Sequence, residues 1–350
     1  MVNREEACVA QSTAWHHHVR QILIMLLKIG LSVAIIAYLV MDARKDPETF
    51  KKLVHDPKNW SILLAALAVC AAAVSSTIIR WWYLVRALGV PFPFRDALRI
   101  GFVGYLFNLA PMGIVGGDLL KAWMLAREQR GHEAKAVAAV AMDRIVGLQM
   151  LFVVVSAAIL VLGYHHSSNA DIRGVANFTL LVTAVSTAVC GLLLTPTFTD
   201  GRLTQSMTRL PRVGRPIGKL IDAVRLYRQQ PAVLINSIWM SVMIHALFST
   251  GIYLIARGLP DRFLTLGQHF FVAPLSAVAT LIPLPAGPQE GAIQYLYGQL
   301  LDAPAKGLAV GLSYRLVTVL IALIGVVYYL GSRREVAEVI HEVEEGHEEF

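Results

Sequence analysis

The chain has 350 residues, 56% of them apolar and only 16% charged, with 31 Lys and Arg against 24 Asp and Glu. A soluble domain holds about 45–50% apolar and about 25% charged residues, so this composition excludes a soluble class and points to one polytopic membrane domain. The net charge of +7 does not indicate nucleic acid, because the basic residues lie mainly between apolar blocks, where the positive-inside rule already requires them.

A span needs about 20 mostly apolar residues. The first such stretch is Ile22 to Met41. It is too long for a cleavable signal and lacks a small-residue cleavage site, so it is expected to stay as an anchor. His16 to His18 precede it, a short run without further ligands. The second stretch is Trp60 to Ile79, and the Arg80, Trp81, Trp82 and Tyr83 that follow read as an interfacial belt with a snorkelling arginine. Next, Ile100 to Trp123 is broken by Pro111, Gly113, Gly116 and Gly117, with Asp118 among them. Ala136 to Gly163 is long enough to span but carries Asp143 and Arg144. Val175 to Thr195 is a plain span, followed by a basic connection with seven Lys or Arg between Pro196 and Pro231. Within that connection, Arg212 to Arg228 is expected to lie as an interfacial helix on anionic lipid. Ala232 to Ala256 holds His245, which reads as a satisfied core residue. Phe263 to Tyr297 is broken again, through Pro283, Pro285, Gly287, Pro288 and Glu290. Leu308 to Leu330 is the last span, and the tail from Glu335 to Glu349 has seven glutamates and reads as a solvated helix or a disordered end. The cysteines Cys8, Cys70 and Cys190 form no CxxC pair, so neither a disulfide nor a zinc framework is expected.

Both broken regions read as paired half-helices around an unwound turn, a backbone that survives at membrane depth only where protein or a water-filled cavity satisfies it. The basic connection places itself in the cytoplasm, and with each broken region re-entering from the side it left, six full spans put both termini there too. The expected class is therefore an all-α polytopic membrane protein of six to eight transmembrane helices. Residues 1–21 form a cytoplasmic segment, 22–332 a single transmembrane domain, and 333–350 an acidic cytoplasmic tail.

The two broken regions are related. Pro111 stands seven residues before Asp118 and Pro283 seven before Glu290; Arg144 follows Pro111 by 33 and Arg315 follows Pro283 by 32. This is a repeat offset by about 171 residues, with cores near 97–163 and 266–330. Three full spans separate the two starts, and an odd number inverts the second copy. Inverted repeats with discontinuous helices are an architecture of secondary transporters that bind substrate near the midplane.

Charge inside a span costs about 2.5 to 3.5 kcal/mol on insertion scales, so it is usually paired or lines a cavity. Asp118, Asp143, Arg144, Glu290 and Arg315 are such residues. Neighbours on a helix face about 100° apart, so Asp143 and Arg144 need different partners. Arg144 with Glu290 and Arg315 with Asp118 are the pairs expected. The alternative to purely structural pairs is that the two arginines bind an anionic head group, with half-helix N-termini beyond Gly117 and Gly291 adding N–H donors.

The runs GYLFNLAPMGIVGGDLLKAWMLAR, MDRIVGL and PLPAGPQEGAIQYLY resemble the flippase-like transmembrane family, also called the lysylphosphatidylglycerol synthase transmembrane region, over about residues 20 to 332. The resemblance implies a multi-pass protein of the cytoplasmic membrane that moves an anionic or aminoacylated phospholipid, or a glycolipid, between leaflets. It carries over to Pro111, Gly117, Asp118, Asp143, Arg144 and Glu290; Gly116 belongs to the same motif, and Arg315 rests on the repeat. About 18 residues follow the last span, too few for the soluble aminoacyl-transfer domain of the full-length synthases, so lysyl transfer is not expected. The rival readings are a membrane-embedded enzyme acting on a lipid head group and a membrane scaffold. No GxxxxGK[ST] loop, HExxH motif or aspartate-rich repeat is present, so no ATPase, metal or other cofactor is expected. The expected partner is membrane lipid, without nucleic acid, and a homo-oligomer is left open.

Overall fold

The structure is a computed structural model that describes residues 23, 26–45, 47–109, 116–129, 131–199, 201 and 214–346. Pro111, Gly113, Cys8, His16 to His18 and Arg202 to Arg212 fall outside the described residues.

The described residues are helical, with no strand among them. In chain order the helices are α1 (Leu26–Ala43), α2 (Pro47–His55), α3 (Trp60–Ala87), α4 (Phe94–Leu109), α5 (Gly117–Glu128), α6 (Glu133–Leu162), α7 (Ala170–Leu194), α8 (Gly214–Arg228), α9 (Pro231–Gly258), α10 (Leu266–Val278), α11 (Pro288–Leu301) and α12 (Pro304–Gly346). Six of them, α1, α3, α6, α7, α9 and the Pro304–Arg333 part of α12, are long and apolar enough to cross a membrane. These are the six spans expected. Local chemistry sets their ends. Asn59 caps α3 by accepting the Ile62 N–H at 3.2 Å, and Asn169 accepts the Asp171 and Ile172 N–H groups at the start of α7. Prolines open α9 and α11, and Gly163, at φ 71°, closes α6. At Ser332, φ −127° interrupts α12 where the span gives way to the acidic tail, which continues as helix to Gly346.

Both broken regions are antiparallel helical hairpins. In the first, Asn108 accepts the Gly117 N–H at 2.9 Å near the tip, and Arg99 pairs with Glu128 at the base. In the second, His269 Nε2 meets the Tyr297 hydroxyl at 2.9 Å, and Arg262 donates to the Asp302 carbonyl at 3.0 Å. Each hairpin therefore returns to the level from which it set out. Neither half-helix could cross alone: 16 residues in α4 and 12 in α5 rise about 24 and 18 Å, against a core of about 30 Å.

The helices fall into two matching sets, α3–α6 and α9–α12. Within each set the same neighbours touch, and between sets the contacts are exchanged: α4 packs on α12 while α10 packs on α6. The most extensive pair is α3 with α9, and these run antiparallel. The Asn59 N–H donates to the Gly258 carbonyl at one end, and at the other Gln230 Nε2 donates to the Ala87 carbonyl. Asn59 and Gln230, like Ala87 and Gly258, stand 171 residues apart. Close crossings are made at glycines, the means by which helices approach in lipid without a hydrophobic drive. A Cβ on Gly325 would overlap the Phe102 carbonyl oxygen of α4, and one on Gly251 would overlap the Cys70 thiol of α3.

Helix α8 does not merely lie on the surface, as its basic sequence suggests. Tyr227 is fully buried and donates to the Leu84 carbonyl at 2.8 Å, and Arg225 donates to the Thr199 carbonyl at 2.6 Å. Helix α1 stands apart from the main core, in a small cluster of Leu39 and Ala43 with Ala305 and Leu308.

Candidate functional site

The five in-span charges all find partners, but not those expected. Arg144 pairs with Asp118, and Arg315 Nε donates to Glu290 Oε1 at 2.6 Å. Pairing thus stays within each set and does not cross between them. The hairpin geometry explains this: the second half-helix of each hairpin lies against the long helix that follows it, so the acid in its first turn faces that helix's arginine.

Asp143 pairs with Arg80, which sequence alone placed in an interfacial belt. Because α3 continues to Ala87, Arg80 falls inside the bundle and is only 5% exposed. Its Nε donates to Asp143 Oδ1 at 2.7 Å, Nη1 to Ser241 Oγ at 2.7 Å, and Nη2 to the Asp143 carbonyl at 3.1 Å. His245 lies beside it as the expected core residue, with Nε2 3.0 Å from the Gly147 carbonyl.

The first hairpin's site is a small polar cluster. Gly104 and Gly117 bring α4 and α5 into backbone contact, since a Cβ on Gly117 would overlap the Gly104 carbonyl oxygen. Asn108 takes the Gly117 N–H, which leaves the Asp118 carboxylate for Arg144 and for Lys121, whose Nζ is 3.6 Å away. The Lys121 ammonium also stands 5.9 Å above the buried Trp81 ring, within cation–π range. Two cations thus meet one anion, and the Asp118 and Arg144 side chains keep 30% and 60% of their surface exposed. Gly116 has open space around its Cβ position.

The second hairpin is closed. Glu290 is 1% exposed and Arg315 24%. Glu290 Oε2 accepts the Gly287 N–H at 2.8 Å, so this acid caps its own helix. The half-helix begins at Pro288 rather than beyond Gly291, whose N–H is already bonded to the Gly287 carbonyl. Helix α1 covers the start of α11: Ile35 packs against Gly287, Ser32 Oγ accepts the Ala286 N–H at 3.4 Å, and Gln294 Nε2 donates to Asp42 at 2.9 Å.

Two lysines with a structural role lie outside the motifs that the sequence singles out. Lys135 Nζ donates to the Leu88 carbonyl at 3.0 Å, and Lys306 Nζ donates to the Leu259 and Pro260 carbonyls at 2.9 and 2.6 Å. Both cap the C-terminal carbonyls of the first long helix in their own set, and the 171-residue spacing they share with Arg144 and Arg315 was the signal for them. No group of three or more metal-ligating side chains occurs among the described residues.

A helical bundle built on two broken-helix hairpins, each with an acid–arginine pair, defines a polytopic membrane protein of the discontinuous-helix kind. The chain belongs to the lysylphosphatidylglycerol synthase transmembrane region family, whose model matches residues 25–325. That membership gives it a function related to membrane lipid. A search of curated proteins found no match.

Proposed function

We propose that the protein is a flippase-like transporter that moves a lipid between leaflets of the cytoplasmic membrane. The lipid is an anionic or aminoacylated phospholipid or a glycolipid, and both termini lie in the cytoplasm. The observation that carries this reading is the unequal state of two matching half-sites. The Asp118–Arg144 pair is half-exposed with an excess cation, while in the Glu290–Arg315 pair the acid is buried and the arginine is only a quarter exposed. One open and one closed half-site is what alternating access asks of a duplicated fold.

The antiparallel packing of α3 on α9, at a constant spacing of 171 residues, supports an inverted repeat of α3–α6 and α9–α12 about an axis in the membrane plane. Three full spans, α3, α6 and α7, separate the start of one copy from the start of the next, and with the hairpin returning this odd number of crossings inverts the second copy. The partly exposed guanidinium of Arg144 suits a phosphate oxygen pair. Asp118 then holds Arg144 and Lys121 between arrivals and takes any cationic part of the head group. Gly116, the residue before α5, stands beside it.

The test is exchange of a fluorescent anionic phospholipid between leaflets of proteoliposomes. Asp118→Asn and Arg144→Ala should each slow exchange at least tenfold. Unchanged exchange in both variants would overturn the reading, and a chemically altered lipid in the mass spectrum would make the protein an enzyme instead.

A further inference from the structure

The two sets of helices provide an internal control for Arg80. The 171-residue spacing is fixed on either side of it: α3 and α9 are each 28 residues long, and Leu88 and Leu259 accept from Lys135 and Lys306. The same spacing matches Arg80 with Gly251, Asp143 with Tyr314, and Ser241 with Cys70. Where the first set buries a guanidinium bridging Asp143 and Ser241, the second buries a glycine against the Cys70 thiol, next to a tyrosine that is 8% exposed. One packing problem has thus been solved twice, once with charge and once without.

A buried ion pair is seldom a net gain in stability over well-packed neutral side chains, and in a bilayer it carries an insertion cost as well. The neutral solution in the second set shows that this helix crossing needs no charge. Its placement indicates another role. Arg80 grips residue 143 twice, through the carboxylate and through the backbone carbonyl, and Gly147, one turn on, is cut back so that the guanidinium fits: a Cβ there would lie 2.9 Å from Nη2. Successive helical residues point about 100° apart. With Asp143 held toward α3 and α9, Arg144 is turned toward α5 and Asp118. The residue after Arg80 is Trp81, whose ring backs Lys121.

We propose that Arg80 is a positioning residue of the half-exposed site: by holding Asp143 it sets the rotation of α6 that presents Arg144, and so makes the first hairpin the head-group acceptor. What Arg144 binds rests on the transport reading above; the positioning does not.

The test transplants the second set's solution into the first, as Arg80→Gly with Asp143→Tyr, in the full chain reconstituted in liposomes with its native cysteines replaced. The direct readout is the reaction rate of Arg144→Cys with a charged methanethiosulfonate. With the native Arg80–Asp143 pair replaced, that rate should change at least threefold; a smaller change overturns the proposal. With Arg144 intact, exchange of a fluorescent anionic phospholipid should slow at least tenfold in the double variant. It should fall between wild type and double variant in Arg80→Lys, which keeps the charge but not the fork of donors. Where Arg144→Ala slows exchange, exchange at the wild-type rate in the double variant overturns the proposal, and so does loss of its monodisperse elution peak, which would make the pair structural. If Arg144→Ala leaves exchange unchanged while the labelling rate still responds to Arg80, the transport reading fails and the positioning role stands.

Discussion

Gly117 is where the first hairpin is most sensitive to a single methyl group. In Gly117→Ala the new Cβ would overlap the Gly104 carbonyl oxygen and lie 2.7 Å from its carbon and 2.8 Å from Asn108 Oδ1. All but the last are backbone atoms, so no rotamer change relieves them, and α4 must move away from α5. Overpacking of this kind costs about 1–3 kcal/mol. Loss of the Asn108 bond to the Gly117 N–H adds about 1 kcal/mol. A total of about 3 kcal/mol corresponds to a fall in melting temperature of about 4 °C for a chain of this length. The neighbouring Gly116→Ala is the control, since its Cβ meets nothing within 4 Å and its φ of −69° suits alanine. Thermal unfolding of the purified protein in detergent, followed by intrinsic fluorescence, should separate the two variants clearly. Equal melting temperatures would refute the backbone contact between α4 and α5.

The two acid–arginine pairs should respond differently to neutralisation. Glu290→Gln leaves Arg315 without its carboxylate in a closed site and should cost about 3 kcal/mol, whereas Asp118→Asn, in a half-exposed pair, should cost about 1 kcal/mol or less while slowing lipid exchange; melting curves of both variants check this. Lys306→Met removes two charge-assisted bonds from a fully buried ammonium and should destabilise by about 2–4 kcal/mol. Lys135→Met removes one bond and should cost about half as much, again read as a melting temperature. Arg86 and Arg257 are exposed, lie near the ends of α3 and α9, and stand 171 residues apart. Cysteines at the two positions should therefore be labelled by an impermeant reagent from opposite faces of the membrane, and labelling from one face would refute the inversion.

The spans were legible because lipid imposes length and apolarity on every residue of a helix, and nothing else in the fold competes with that demand. The breaks were legible through their prolines and glycines. Partner choice was not. Offsets in the chain relate Asp118 to Glu290 and Arg144 to Arg315, but they do not say that α5 folds back along α4 and lies beside α6, which is what delivers Asp118 to Arg144. Arg80 was misplaced for a different reason: apolarity fades after Ile79, while the helix itself runs on to Ala87, and only tertiary contact with Asp143 and Ser241 reveals that the guanidinium lies inside protein. Lys135 and Lys306 were readable in principle, since they keep the spacing of the arginines, but they sit outside the broken motifs.

The exchange of contacts between the two sets has a mechanical consequence. Helix α4 leans on α12, which carries Arg315, and α10 leans on α6, which carries Arg144. Each hairpin therefore rests on the helix that holds the opposite half-site's cation. A displacement of α6 that unseats Arg144 is therefore expected to be felt by α10, and a displacement of α12 by α4. In the transport reading this cross-bracing ties the two half-sites together, with the α3–α9 crossing between them as the expected pivot.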